Sequence, residues 1–143
     1  MTIQAAERLR IEGITVAIRA VPLEPWFALS RTPPPFEIVT SMCWRGYFGE
    51  WELVDDRLYL VGLSGELENE RKANIATLFP EFPERVFAHW YSGPICVPGA
   101  NRLESVRQQR GANDDSELAL DLEFGVVTAR QLRRDAAARG AGA

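Results

Sequence analysis

The chain has 143 residues, 46% of them hydrophobic and 25% charged, with a formal net charge of −4. That length corresponds to one domain, and an acidic balance without a basic cluster excludes the usual nucleic-acid binder. No run approaches the roughly 18 apolar residues of a membrane span, and Met1 to Arg10 holds no apolar signal core, so a cytoplasmic protein is expected.

In chain order, Ala5 to Ile11 has weak helical character and Gly13 stops it. Ile14 to Ile18 is β-branched and predicts a first strand. Five prolines between Val21 and Pro35 predict an ordered loop or edge segment, with polyproline II geometry at Pro33-Pro34-Pro35. Phe36 to Trp44 alternates as a strand does. Gly46 and Gly49 then supply a tight turn or a bulge in an aromatic stretch. Trp51, Leu53, Leu58 and Leu60 form a hairpin across Asp55-Asp56-Arg57, because Asp bonds its own backbone and tolerates unusual φ.

A short helix is expected before Pro80, and strands at Val86 to Tyr91 and Ile95 to Val97. Asn101 to Asp115 is polar and predicts an exposed loop. Glu117 to Phe124 alternates as a half-buried strand, and Gly125 turns it into Val126 to Thr128. Ala129 to Arg139 is helix-permissive, with residues 136–143 a fraying tail. The fold class is mainly β: six to eight short antiparallel strands in a sandwich or partly closed barrel, with one or two short helices. Its core should contain Leu53, Leu58, Leu60, Val86, Phe87, Leu118, Leu120, Leu122 and Phe124.

His89 is the single histidine, so any Ser-His-Asp or Cys-His chemistry must be built on it. Within FAHWY it reads as a buried, hydrogen-bonded residue. Cys43 and Cys96 read as reduced, packed thiols. No C-x-x-C or H-x-x-x-H clip and no phosphate-binding glycine loop occurs, so neither metal nor cofactor is expected. Glu50 and Glu52 flank Trp51 on one strand face, where solvated positions explain them. The aromatic groups, Trp44, Tyr47, Phe48 and Trp51 with Phe87, Trp90 and Tyr91, either fill the core or line a contact site.

The blocks RGYFGEWELVDDRLYLVGLSGEL (Arg45 to Leu67), VFAHWYSGPICVPGA (Val86 to Ala100) and ELALDLEFGVV (Glu117 to Val127) resemble a group of small bacterial proteins without assigned function. That group shares an RGY-x-G-x-W-E hairpin, a W-[YF]-[ST]-G segment and an alternating strand closing in E-x-G. His89 stands where the group carries an acidic residue. The resemblance implies a β-rich fold and no reaction. Gly49-Glu50-Trp51 is also similar to the G-x-W signature of lipocalin-like barrels.

Three functions follow as expectations. The first is a non-enzymatic binding or interaction protein with a protein partner, using an aromatic-rich surface of Trp44, Arg45, Tyr47, Trp51, His89, Trp90 and Tyr91. The second is a small-molecule-binding, barrel-like protein, which needs a concave pocket of about 300 Å³ or more. The third is an enzyme with His89 as acid/base and Arg45 as anion clamp, which needs His89 exposed in a pocket beside a carboxylate or thiol.

Overall fold

Alternation at period two decides the first element. Glu7, Leu9 and Ile11 are buried while Arg8 and Arg10 are exposed, so Glu7–Ile11 is strand β1 and not the helical turn that its composition suggested. The computed structural model describes residues 6–31, 46–65, 67 and 72–134. The strand expected at 36–44, the polyproline run, Cys43, Trp44, Arg45 and the tail from 135 lie outside the described residues.

Among the described residues, β1 is followed by seven more strands: β2 (Ile14–Ile18), β3 (Tyr47–Val54), β4 (Arg57–Gly65), β5 (Val86–Phe87), β6 (Gly93–Val97), β7 (Ser116–Glu123) and β8 (Val126–Arg134). They form one sheet in the order β2-β1-β3-β4-β8-β7-β6, with β5 added to β4. Every pair among them is antiparallel except β1 with β3, which is parallel. A parallel pair needs a long crossover, and here 35 residues, 12–46, lie between the two strands.

The sheet rolls toward closure. Its two edges meet where the Arg19 N–H donates to the Cys96 carbonyl at 2.8 Å, and β4 touches β8 in register only at Arg57 and Val126. The architecture is mainly β, a partly closed barrel with three short helices among the described residues.

Three hairpin turns share one chemistry. Glu12-Gly13, Asp55-Asp56 and Phe124-Gly125 all have positive φ at both positions, the two-residue loop whose twist matches that of the strands it joins. Between β3 and β4, Val61 is an extra residue opposite the Glu50/Trp51 step. This bulge lets Leu60 and Leu63 both face inward.

The proline-rich segment contains a helix, α1 (Leu23–Ser30), where a loop was expected. Pro25 sits in its first turn, where a missing N–H costs no helical bond. Leu23 and Phe27, four residues apart, are the buried pair that holds α1 on the sheet. Trp26 meets Phe79 at 4.8 Å, Phe79 stacks on Trp90 at 5.5 Å, and the Trp90 indole donates to the Pro22 carbonyl at 2.7 Å.

Asn74 and Thr77 form a capping box on α2 (Ile75–Leu78). In the region expected as an exposed loop, the turn Ala100–Arg102 and α3 (Glu104–Arg107) drive Leu103 and Val106 into the core.

Other expectations change for physical reasons. Leu58, Leu60, Val86, Leu118, Leu120 and Leu122 are core, but Phe124 is 72% exposed because it occupies a turn position with φ 49°. Phe87 and Leu53 are only partly covered. The helix-permissive segment after Thr128 continues as β8, since its backbone pairs along the whole of β7. Val86 to Tyr91 is a strand only at Val86–Phe87, then turns at His89 and Trp90. Among the described residues no helix is long and apolar enough to cross a membrane.

Candidate functional site

A hollow lies on the outward face of the β2-β1-β3-β4 half of the sheet. Residues two apart point the same way, so β1 presents Arg8, with Ala6 just before the strand, β2 presents Thr15 and Ala17, and β3 presents Phe48 and Glu50. The register places Arg8 opposite Ala17 on one side and Glu50 on the other, with Phe48 opposite Ser64 of β4. Together with Val16 and Gly49 these residues line a cleft of about 730 Å³. A smaller hollow of about 230 Å³ shares Arg8, Thr15 and Glu50 and extends the cleft to Arg10 and Val61.

The register sets the two arginines of β1 opposite the two glutamates of β3, Arg8 with Glu50 and Arg10 with Glu52. Arg10 lies 3.8 Å from Glu52, a long and exposed contact. Glu50 folds over β4: its carboxyl lies 3.0 Å from where a Cβ on Gly62 would stand, so glycine makes room for it. Arg8, the register partner of Glu50 on β1, forms no ion pair among the described residues. Thr15 and Ser64 add hydroxyl groups, and Phe48, Ala6, Ala17 and Val16 an apolar lining. The cleft can hold a molecule with an apolar body and a polar head.

Beneath it, on the inward face, a carboxylate is buried. Glu7 is 1% exposed and accepts from the Gly49 N–H at 2.6 Å and from the Trp51 indole N–H at 3.2 Å. A second buried carboxylate, Glu117, accepts from Arg19 at 2.9 Å and Arg133 at 2.6 Å, and Arg133 also donates to the Cys96 sulfur at 3.0 Å. The hydrogen bond to Glu117 is the main cause holding the Arg133 guanidinium above its ordinary pKa.

The aromatic candidates are mostly interior. Tyr47 is fully buried, Trp51 is 1% exposed, and Trp90 and Tyr91 are core residues, because each lies on the inward side of its strand or turn. Trp44 and Arg45 lie outside the described residues. His89 is exposed, not buried as its flanks suggested: the chain turns at Ala88, which is inside, and carries the next side chain out. Its ring lies edge-on to Trp90 at 5.5 Å and lines neither hollow of the cleft. The exposed large apolar residues among those described are Leu29, Phe82, Phe124 and Val126.

Sequence reasoning singled out Glu50 but missed Arg8, Thr15, Ala17 and Ser64. The signal was present in the alternation of Glu7 to Ile11, which helical propensity obscured.

Tyr91 donates to the Pro94 carbonyl at 2.6 Å, and burial, with a smaller contribution from Cys96, raises its pKa above the usual tyrosine value. A folded-state pKa above the unfolded one gives stability that is complete below about pH 10 and lost as pH rises through the folded value. Tyr91→Phe is therefore expected to cost about 1 kcal/mol at neutral pH and to flatten the alkaline loss of stability. Urea denaturation between neutral and alkaline pH checks this, and an unchanged alkaline slope in the variant would contradict it.

Comparison of the chain with protein-family models, with curated proteins and with solved structures finds no match.

Proposed function

We propose that this chain is a non-enzymatic binding protein whose ligand is a small molecule held in the outward cleft of β1 to β4. The observation that carries the reading is the cleft itself. At about 730 Å³ it lies within the range of small-molecule sites, with an apolar lining and a few polar groups from four strands. Rigid strands position those groups better than loops would.

The protein-partner reading is less well supported, since four of its seven surface residues, Tyr47, Trp51, Trp90 and Tyr91, are committed to the core. The enzyme reading needs His89 in a pocket beside a carboxylate or thiol, and His89 stands apart from the cleft. Membership in the small bacterial group with the RGY-x-G-x-W-E hairpin is part of this proposal, and it brings a fold without a reaction.

An NMR screen of small aromatic and aliphatic compounds tests the reading. Binding should move the amide signals of Arg8, Thr15, Ala17, Phe48, Glu50 and Ser64 together. Ala17→Trp, an exposed position where a large ring fills the cleft without touching the core, should weaken binding about tenfold or more, roughly 1.4 kcal/mol or above, and leave stability within about 0.5 kcal/mol. Shifts confined to other regions, or equal binding by the tryptophan variant, would refute the assignment.

A further inference from the structure

We infer that the cleft selects a small amphipathic anion, an acidic head group on an aromatic or aliphatic body. The inference rests on the cleft being the binding site and names what it binds. The protein as a whole is acidic, at −4, so a cationic group in this cleft that forms no ion pair among the described residues is not a consequence of composition.

Arg8 is that group. It projects from the second position of β1, between Ala17 of β2 and Glu50 of β3. Its neighbour cation Arg10 has Glu52 within 3.8 Å. The one carboxylate among the described residues lining the cleft, Glu50, is the register partner of Arg8 on the neighbouring strand, but its side chain leans toward Gly62 on β4 and forms no ion pair with Arg8. A guanidinium offers five N–H donors in a planar fork and stays charged at any pH the fold survives. Such a fork binds a carboxylate through two parallel hydrogen bonds.

The rest of the lining suits the same ligand. Thr15 and Ser64 carry hydroxyl hydrogens that can donate to acceptor oxygens, one on each flank of the cleft. Phe48, half-buried and opposite Ser64, adds apolar surface to the lining. Alanine at 6 and 17 leaves room for that body, where larger side chains on β1 and β2 would close the cleft.

Three probes with one body and three charges test this: 2-naphthoate, 2-naphthamide and 2-naphthylmethylammonium, titrated into the full chain by NMR. 2-Naphthoate is expected to bind about tenfold tighter than the amide or the ammonium, the size of one charge-assisted bidentate contact. Added salt should narrow that gap. Arg8→Gln should remove the preference for the anion, bringing the affinity for 2-naphthoate down to that of the amide.

Equal affinities for all three, or a preference for the anion that survives in Arg8→Gln, would overturn the anion assignment while leaving the cleft as a binding site. Tighter binding of the ammonium would reassign the cleft to Glu50. If none of the probes moves the cleft amides, the binding-site reading itself falls. Arg8 is exposed, so the variant should fold, and amide spectra without probe verify that it does.

Discussion

Gly125→Ala is expected to lower stability by about 3 kcal/mol or more, a large loss for a single added methyl. Two effects combine at this turn. Gly125 has φ 81°, a region where a Cβ meets the neighbouring carbonyl and costs roughly 1–2 kcal/mol. In addition, the new Cβ would lie 2.5 Å from the Ala88 carbonyl oxygen and 3.0 Å from the Phe87 ring.

Backbone at Ala88 cannot easily withdraw, because its N–H donates to the Leu58 carbonyl at 2.8 Å. Gly125 is itself pinned, donating to the Tyr91 carbonyl at 2.7 Å and accepting from Leu58 at 2.9 Å. One glycine therefore fastens the β7–β8 turn to β4 and to the segment after β5, where β4 and β8 share a single register pair.

Gly111 separates the two effects. It has φ 87° but nothing within 4 Å of an added methyl, so Gly111→Ala should cost only the conformational term, about 1 kcal/mol. Urea denaturation of both variants checks the comparison. Equal losses would mean that the contact with Ala88 is relieved by a small backbone shift.

Glu7→Leu is expected to cost about 3 kcal/mol, although it replaces a buried carboxylate with a hydrophobic residue of similar size. The reason is what the carboxylate holds. Gly49 lies just beyond Glu50, the first paired residue of β3 in its ladder with β1, so its N–H receives a side-chain acceptor in place of a strand carbonyl. The second donor is the indole of Trp51, among the largest buried side chains of the core.

Leucine would leave both donors buried without an acceptor, at about 1–3 kcal/mol each. Glu7→Gln keeps one oxygen for one donor and should lose less. Gly49 must remain glycine for the same arrangement, since a Cβ there would stand 2.6 Å from the Glu7 carboxyl and 2.7 Å from the Trp51 indole nitrogen. Thermal and urea unfolding of the two Glu7 variants test the argument, and a loss below about 1 kcal/mol for Glu7→Leu would show that the donors find other partners.

Local chemistry made part of this molecule readable from its residues alone. The Asp55-Asp56 reversal and the inward face of Leu118, Leu120 and Leu122 depend on neighbours a few positions away and stand in the structure as expected, although Glu117 and Ala119 on the other face are buried as well. The mainly β class followed from those patterns. Where tertiary pairing competes with local preference, the residues misled. Glu7 to Ile11 has helix-permissive side chains, but two neighbouring strands supply its backbone partners. Ala129 to Arg134 is extended for the same reason, along β7.

The candidate site depended on that pairing altogether. Arg8, Thr15, Phe48 and Ser64 are spread over more than fifty positions, and they share one cleft only because the parallel register of β1 on β3 aligns Arg8 with Glu50. Whether an aromatic residue is core or surface was decided in the same way. Tyr47 and Trp51 flank the Phe48-to-Glu50 segment, but strand twist and pairing turn them inward and Phe48 outward. Sequence by itself determined the strands' turns and alternation, because those are properties of a few adjacent residues. Only the tertiary structure decided which side of each strand faces the core, and so which side chains meet in the outward cleft.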